Sequence, residues 1–199
     1  MRRTTFLALS LTAGLVVVGG SAAAIALNAP STPAPTVAAS APAVEVVAPE
    51  PAEETALPAV DATTASLLFM IEEEKLAHDV YVTLGDLWGS RIFTNIAKSE
   101  STHQGQVLTL LDSRDLSDPR SEEVGVFTDD SLQALYDELI AMGSESRDAA
   151  MQVGIAIEEK DIADLATAIA AEDDADVIDV YERLISGSQN HLAAFERQA

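Results

Sequence analysis

The chain contains no cysteine, which excludes thiolate metal ligands, disulfide bonds and cysteine nucleophiles. Basic residues are also scarce, with 11 Lys and Arg against 33 Asp and Glu and a net charge of −22. Nucleic-acid phosphates would be repelled by such a chain, so we expect no nucleic-acid partner. Alternating runs rich in Val, Ile and Thr are absent as well. Their absence argues against strands and predicts an all-α protein.

The first 26 residues have the pattern of a targeting segment. A basic start, Met1–Arg3, is followed by an apolar run over Phe6–Val18 and then by small residues. We therefore predict a signal peptide over residues 1–26 and an exported protein, either secreted or held at the cell envelope. The stretch Phe6–Leu27 is also just long enough to span a bilayer, so an uncleaved N-terminal anchor is the alternative.

Proline is almost confined to one segment. Of the 8 prolines, all but Pro119 lie within residues 27–62, among many Ala, Val and Thr residues. Because no helical or strand period is present there, we predict a disordered Ala/Pro-rich linker. Such a linker would hold the domain predicted over residues 63–199 away from a membrane or cell wall.

Apolar residues in this domain recur with a helical period throughout. The predicted helices are long segments at about 64–87, 90–111, 145–171 and 174–195, with a short helix near 130–142. Residues 112–128 lack the period, so the connection between the second and third long helices is extended. This order predicts a ferritin-like four-helix bundle with one long crossover that contains a short extra helix.

The second long segment places a glutamate and a histidine among apolar residues. Glu100 and His103 share a face with Ile96, Val107 and Leu110. Residues three apart lie about 60° apart around a helix and one turn along it, so both side chains can reach one ion. A carboxylate buried without a partner is costly, and a bound metal would remove that cost. This pair is the strongest indication of a metal site in the sequence.

The other three long segments each carry one candidate ligand on the inward face. These are Glu74, Glu158 and His191, and each falls near the middle of its segment. Antiparallel helices of similar length bring their midpoints to one level, so we expect all these side chains to meet Glu100 and His103. Carboxylates with imidazoles favour iron, with manganese as the second choice, and a dinuclear site is the arrangement that such bundles build.

Several neighbouring residues leave alternatives open. Glu72–Glu73 forms a charge run with Glu74 and is expected to be a solvated face. Glu159 replaces Glu158 as the candidate if the helix phase is off by one residue. His78 lies one turn beyond Glu74, where it would contact the ligands or lie at the surface. Tyr81 lies two turns beyond Glu74, where it would bond a ligand carboxylate or fill the core.

The last helix departs from a symmetric site. Ser188 stands three residues before His191, where a second bridging glutamate would complete another Glu-x-x-His pair. Water, Asp161 or a substrate anion would fill the gap, or the site would hold one metal instead of two. Asp161 borders the face of Glu158 and could equally orient a histidine.

Four sequence blocks resemble the DUF2202 family, a ferritin-like domain without a settled function. The blocks are Glu72–Tyr81, Ser99–His103, Ile157–Ile162 and Ser188–Phe195. The spacing in the first two also resembles the iron-binding helices of rubrerythrin-type proteins. By this resemblance the ligand set is Glu74, Glu100, His103, Glu158 and His191. The likeness does not extend to Ser188.

Two functions follow as expectations. One is an iron-dependent oxidoreductase that handles O2 or peroxide at a di-iron or di-manganese centre. The other is a non-catalytic metal-binding or interaction module with a degenerate site. Metal ions are the expected partners in both cases, and a homodimer is compatible with the sequence.

Overall fold

The computed structural model describes residues 61–199, so the predicted signal peptide, anchor and linker lie almost wholly outside it. These residues form α-helices and no strand, which confirms the all-α class for the described domain. No helix within 61–199 combines the length and the apolar character needed to cross a membrane. The helices are α1 Ala62–Trp88, α2 Arg91–Ser113, α3 Asp130–Gly143, α4 Arg147–Ala170 and α5 Ala175–Glu196.

Local signals in the sequence account for the start of three helices and the end of one. The side chains of Asp61, Asp129 and Ser146 each accept hydrogen bonds from first-turn amides of α1, α3 and α4. Gly89 ends α1 at a φ of 61°, a left-handed conformation that glycine adopts without strain. The reversal at Gly89 turns the chain directly into α2.

The long helices pack as two hairpins that face each other. α1 packs along α2, and α4 packs along α5, while α2 also contacts α5 and α1 contacts α4. The short helix α3 follows the extended connection and packs on α1 and α4. The result is a helical bundle in which each of the four long helices contributes a face to the interior.

The interior consists of two apolar clusters. One is built on Tyr81, Phe93, Ile157 and Phe195, and the other on Met70, Leu111, Leu165 and Tyr181. Along every long helix, buried polar residues lie between the parts that belong to the two clusters. These residues form a polar layer across the middle of the bundle, and its members are Glu74, Glu100, His103, Glu158, Asp161, Ser188 and His191.

Helix α1 is buried on all sides near this layer, which corrects one expectation. The prediction that Glu72–Glu73 is solvated is wrong, because Glu72 is 3% and Glu73 is 5% exposed. Glu72 accepts hydrogen bonds from the start of α3, and Glu73 pairs with Lys160 of α4. Lys75 reaches Asp79 and the carbonyl groups of the loop before α3. Helices on several sides of α1 therefore satisfy its consecutive charges.

The buried face of α4 is rotated slightly from the predicted stripe. Ile155 and Ile162 are only partly buried, whereas Ile157 and Asp161 are buried. On the buried face, Gly154 lets the ring of Phe195 pack directly against the backbone of α4. The rotation carries Asp161 from the border of the face into the polar layer.

We predict that Glu72→Gln lowers the free energy of unfolding of the metal-free protein by about 2 kcal/mol. The Glu72 carboxylate accepts bonds from the Thr128 amide at 2.7 Å, the Thr128 hydroxyl at 2.7 Å and the Asp129 amide at 3.0 Å. An amide at this position keeps one acceptor oxygen and brings a donor toward other donors. Urea denaturation measures the loss, and Glu138→Gln on exposed α3 surface is the control. Equal stability of the two variants would mean that the hydrogen bonds of Glu72 to Thr128 and Asp129 do not stabilise the fold.

Candidate metal centre

Four helices each deliver carboxylate or imidazole groups to the polar layer. α1 contributes Glu74, α2 contributes Glu100 and His103, α4 contributes Glu158, and α5 contributes His191. All five are buried, with exposures between 1% and 8%. The structure therefore brings together every residue that the sequence proposed as a ligand.

Glu100 lies at the centre of the group. Its Oε2 atom is 2.8 Å from His103 Nδ1, and its Oε1 atom is 2.8 Å from His191 Nδ1. The two imidazole rings stack with centroids 5.3 Å apart. One carboxylate thus faces two histidines through its two oxygens.

Each histidine has a second carboxylate of its own. Glu74 Oε2 lies 3.2 Å from His103 Nδ1, and Glu158 Oε2 lies 3.6 Å from His191 Nδ1. The layer is therefore nearly symmetric about Glu100, with one histidine and one glutamate on each side. Donor atoms of Glu100, His103 and His191 lie within 4.8 Å of one another, close enough to share an ion.

Several atoms of this layer lack a hydrogen-bond partner among residues 61–199. They are Glu74 Oε1, Glu100 Oε1, Asp161 Oδ1 and His191 Nδ1, all fully shielded from solvent. The 2.8 Å contact between Glu100 and His191 is close but is not aligned as a hydrogen bond. Buried polar atoms are normally paired, and unpaired ones are costly. Oxygen and imidazole donors that converge without protein partners fit a divalent transition metal.

The remaining candidate residues differ in their relation to the centre. The Tyr81 hydroxyl donates a 2.6 Å hydrogen bond to Glu158 Oε1, and Ser188 Oγ donates one of 2.6 Å to Asp161 Oδ2. His78 does not join the cluster, because it is half-buried beside Asp79 and lines a surface groove between α1 and α2. Glu159, the alternative to Glu158, is exposed.

In the metal-free protein, protons supply the positive charge of the layer. Burial opposes ionisation of Glu100, but its contacts with both histidines outweigh burial and lower its pKa to about 2. Burial likewise disfavours the imidazolium forms, yet contacts with Glu100 and a second glutamate raise the pKa of His103 to about 10 and of His191 to about 9. Burial raises the pKa of Glu74 to about 8. At neutral pH the two histidines and Glu74 therefore hold protons.

Gly187 shapes the centre, although the sequence prediction did not include it. A Cβ atom at this position would lie 2.7 Å from His103 Cε1 and closer still to Nε2. The imidazole of His103 thus packs against the bare backbone of α5. A glycine inside a helical pattern indicates that another group packs closely against the helix backbone. In this sequence Gly187, between Ser186 and Ser188, gave that indication.

The match to known families covers the whole described domain. Residues 63–199 match an uncharacterized protein domain, DUF2202. The chain belongs to the DUF2202 family. Its relatives include the uncharacterized protein MJ0754 of Methanocaldococcus jannaschii, which is 43% identical over 141 residues, or 70% of this chain and 76% of that protein.

The crystal structure of hypothetical protein MJ0754 from the same archaeon is similar in fold. It superimposes with a TM-score of 0.69 at 42% identity, covering 72% of this chain and 82% of that chain. Family membership and fold are therefore shown for this DUF2202 domain, while these relatives carry no assigned activity.

We predict opposite effects for two glycine substitutions in this DUF2202 domain. Gly187→Ala should lower the free energy of unfolding by about 1–3 kcal/mol, because the added methyl overlaps a His103 ring held by Glu74 and Glu100. Gly105→Ala on α2 meets open space and should raise it by about 0.5–1 kcal/mol. Thermal and urea denaturation measure both changes. Stabilisation by both substitutions would contradict the close contact of Gly187 with the His103 ring.

We predict that the metal-free domain loses stability as pH rises from about 6.5 to 10. His103 and His191 have folded pKa values above their ordinary 6.5, so their contribution is complete below pH 6.5 and is lost through about 9 to 10. Glu74, raised to about 8, acts in the same direction from about pH 4.5 upward. Melting temperatures in chelator should fall over this interval.

The variant His191→Gln provides the comparison for that pH series. It removes one of the two histidines with a raised pKa and should flatten the fall in melting temperature. If the wild type and this variant have the same slope, the charged histidines do not contribute as described.

Proposed function

We propose that this protein is an exported, ferritin-like metalloprotein whose four long helices hold a di-iron or di-manganese carboxylate centre that handles O2 or peroxide. In this proposal Glu74, Glu100, His103, Glu158 and His191 are metal ligands. The connection between α2 and α4, which contains α3, corresponds to the long crossover of a ferritin-like four-helix bundle. The kinship with rubrerythrin-type proteins belongs to the same proposal.

The observation that supports it best is the position of Glu100. Its two oxygens face two histidines, and each histidine has a further glutamate nearby. A structural ion pair would need only one such contact, and the unpaired buried atoms around Glu100 would be a net cost. A pair of divalent ions would satisfy these atoms together.

The protein's own groups would orient and shield such a centre. Tyr81 fixes one oxygen of Glu158 through its hydroxyl, which leaves the other oxygen toward His191. The apolar clusters on both sides of the layer exclude bulk water. When bound, two iron ions would supply the two electrons that reduce peroxide to water, and the surrounding helices would set their geometry.

Export rests on the sequence pattern of residues 1–26. The linker over residues 27–62 would then place the metal domain near a membrane or cell wall. Metal ions are the proposed partners, and the proposal leaves room for a homodimer. N-terminal sequencing of the protein recovered from its native cells would distinguish a cleaved signal peptide from a retained anchor.

A non-catalytic metal-binding or interaction module is the second candidate. One observation favours it: Ser188 occupies the position where a symmetric site would have a fourth glutamate. A single divalent ion could then serve stability alone. The two candidates differ in whether bound iron reacts with oxygen.

We predict that protein loaded anaerobically with Fe²⁺ binds iron and, on exposure to O2, develops a ferric absorption band while consuming oxygen. Glu100→Gln should abolish both signals, since the amide cannot bridge two cations. Glu159→Gln removes one carboxylate beside Glu158 but on the exposed face, so it should behave like the wild type. Iron that binds but stays colourless in air would favour the non-catalytic module, and absence of bound metal would reject both.

A further inference from the structure

The gap left by Ser188 is filled from another helix. Ser188 is 1% exposed, and its hydroxyl lies 2.6 Å from Asp161 Oδ2. Asp161 is on α4, three residues after Glu158, so the two carboxyl groups lie on one face one turn apart. The position on α5 that lacks a carboxylate is thus in direct contact with one from α4.

Asp161 has the environment of a metal ligand rather than of a structural hydrogen-bonding group. It is 6% exposed, and its Oδ1 atom is shielded and has no hydrogen-bond partner in the described part of the chain. Asp161 is one of the buried polar residues of the layer that also contains Glu74, Glu100 and Glu158. Within the described residues no cation pairs with it, whereas Asp164 one turn on is paired with Lys160.

Charge balance gives the same result. Glu74, Glu100, Glu158 and Asp161 are four buried carboxylates in one layer with two histidines. Two divalent cations with neutral imidazoles would balance four carboxylates, whereas one cation would need two protons retained on carboxyl or imidazole groups of the layer. A dinuclear centre is therefore the occupancy that neutralises this layer without retained protons.

We propose that Asp161 is the fourth carboxylate ligand of a dinuclear centre, and that Ser188 is a positioning residue that holds Asp161 through its hydroxyl. The inference rests on the proposed metal site and extends it. Instead of a second Glu-x-x-His pair on α5, the chain uses Glu158 and Asp161 on α4 together with His191 on α5. The loss of a glutamate at Ser188 is then compensated and does not make the centre degenerate.

Asp161→Asn tests the ligand assignment, with Mn²⁺ as the probe. The full-length wild type should bind two Mn²⁺ per chain, measured by metal analysis after equilibrium dialysis and by the magnetic coupling of the pair. Asp161→Asn should bind one, because an amide neither bridges nor balances the second ion. Asp164→Asn removes the same charge one turn further along α4, outside the layer, and should retain two.

Folding of the variant is checked independently of metal. Asparagine has the shape of the neutral acid, so the metal-free Asp161→Asn protein should melt within a few degrees of wild type and keep its helical spectrum. Added Mn²⁺ should raise its melting temperature less than that of wild type.

Ser188→Ala tests the positioning role. The variant should bind both ions at saturating Mn²⁺. Its affinity for the second ion should fall by about 10- to 100-fold, and its affinity for the first should be unchanged. Ser188→Thr, which keeps the hydroxyl, should restore most of that affinity. A general loss of packing would instead lower the affinity for both ions or for neither.

The outcomes separate the two proposals. A wild type that binds Mn²⁺, together with an Asp161→Asn variant that has the same stoichiometry and affinities, overturns this inference and leaves the metal site itself in place. A wild type that binds no Mn²⁺ and no Fe²⁺ overturns both.

Discussion

The structure depends on the burial of carboxylates and imidazoles in one layer across the middle of the bundle. Burying an isolated carboxylate is costly, and four buried carboxylates share this layer with two histidines. Without metal, protons on the histidines and on Glu74 offset the negative charge, as the pKa values of these groups indicate. The apolar clusters on either side provide the hydrophobic stabilisation that permits such a layer.

Helix α1 connects this layer to the rest of the domain. Four consecutive charged residues, Glu72–Lys75, are buried, and their partners lie in different elements. Glu72 accepts a hydrogen bond from the backbone at the start of α3, and Glu73 pairs with Lys160 on α4. Glu74 contacts His103 on α2, and Lys75 donates to a carbonyl group of the loop before α3. A charged run in the sequence thus serves as a set of tertiary contacts, and one of its members, Glu74, belongs to the polar layer.

Much of the site was predictable because helical spacing alone places it. The pair Glu100 and His103 follows from a three-residue separation within an apolar stripe, and Glu74 and Glu158 follow from their central positions in helices of similar length. His191 follows from its inward face alone, because it lies toward the end of α5, and the prediction that it falls near the middle of its helix is wrong. Helix existence was equally predictable, since Asp61, Asp129 and Ser146 are cap residues that act locally. These features depend on interactions between residues close in sequence.

The sequence by itself therefore determined the all-α class, the helix order and the inward faces that carry candidate ligands. Only the tertiary structure decided the burial of Glu72–Glu73, the rotation that brings Asp161 inward, and the contacts of Gly187 with His103 and of Ser188 with Asp161. The physical reason is that these features depend on what the neighbouring helix presents at the point of contact. A helical period gives the direction in which a side chain points from the helix axis. It contains no information about the group on the neighbouring helix with which that side chain pairs.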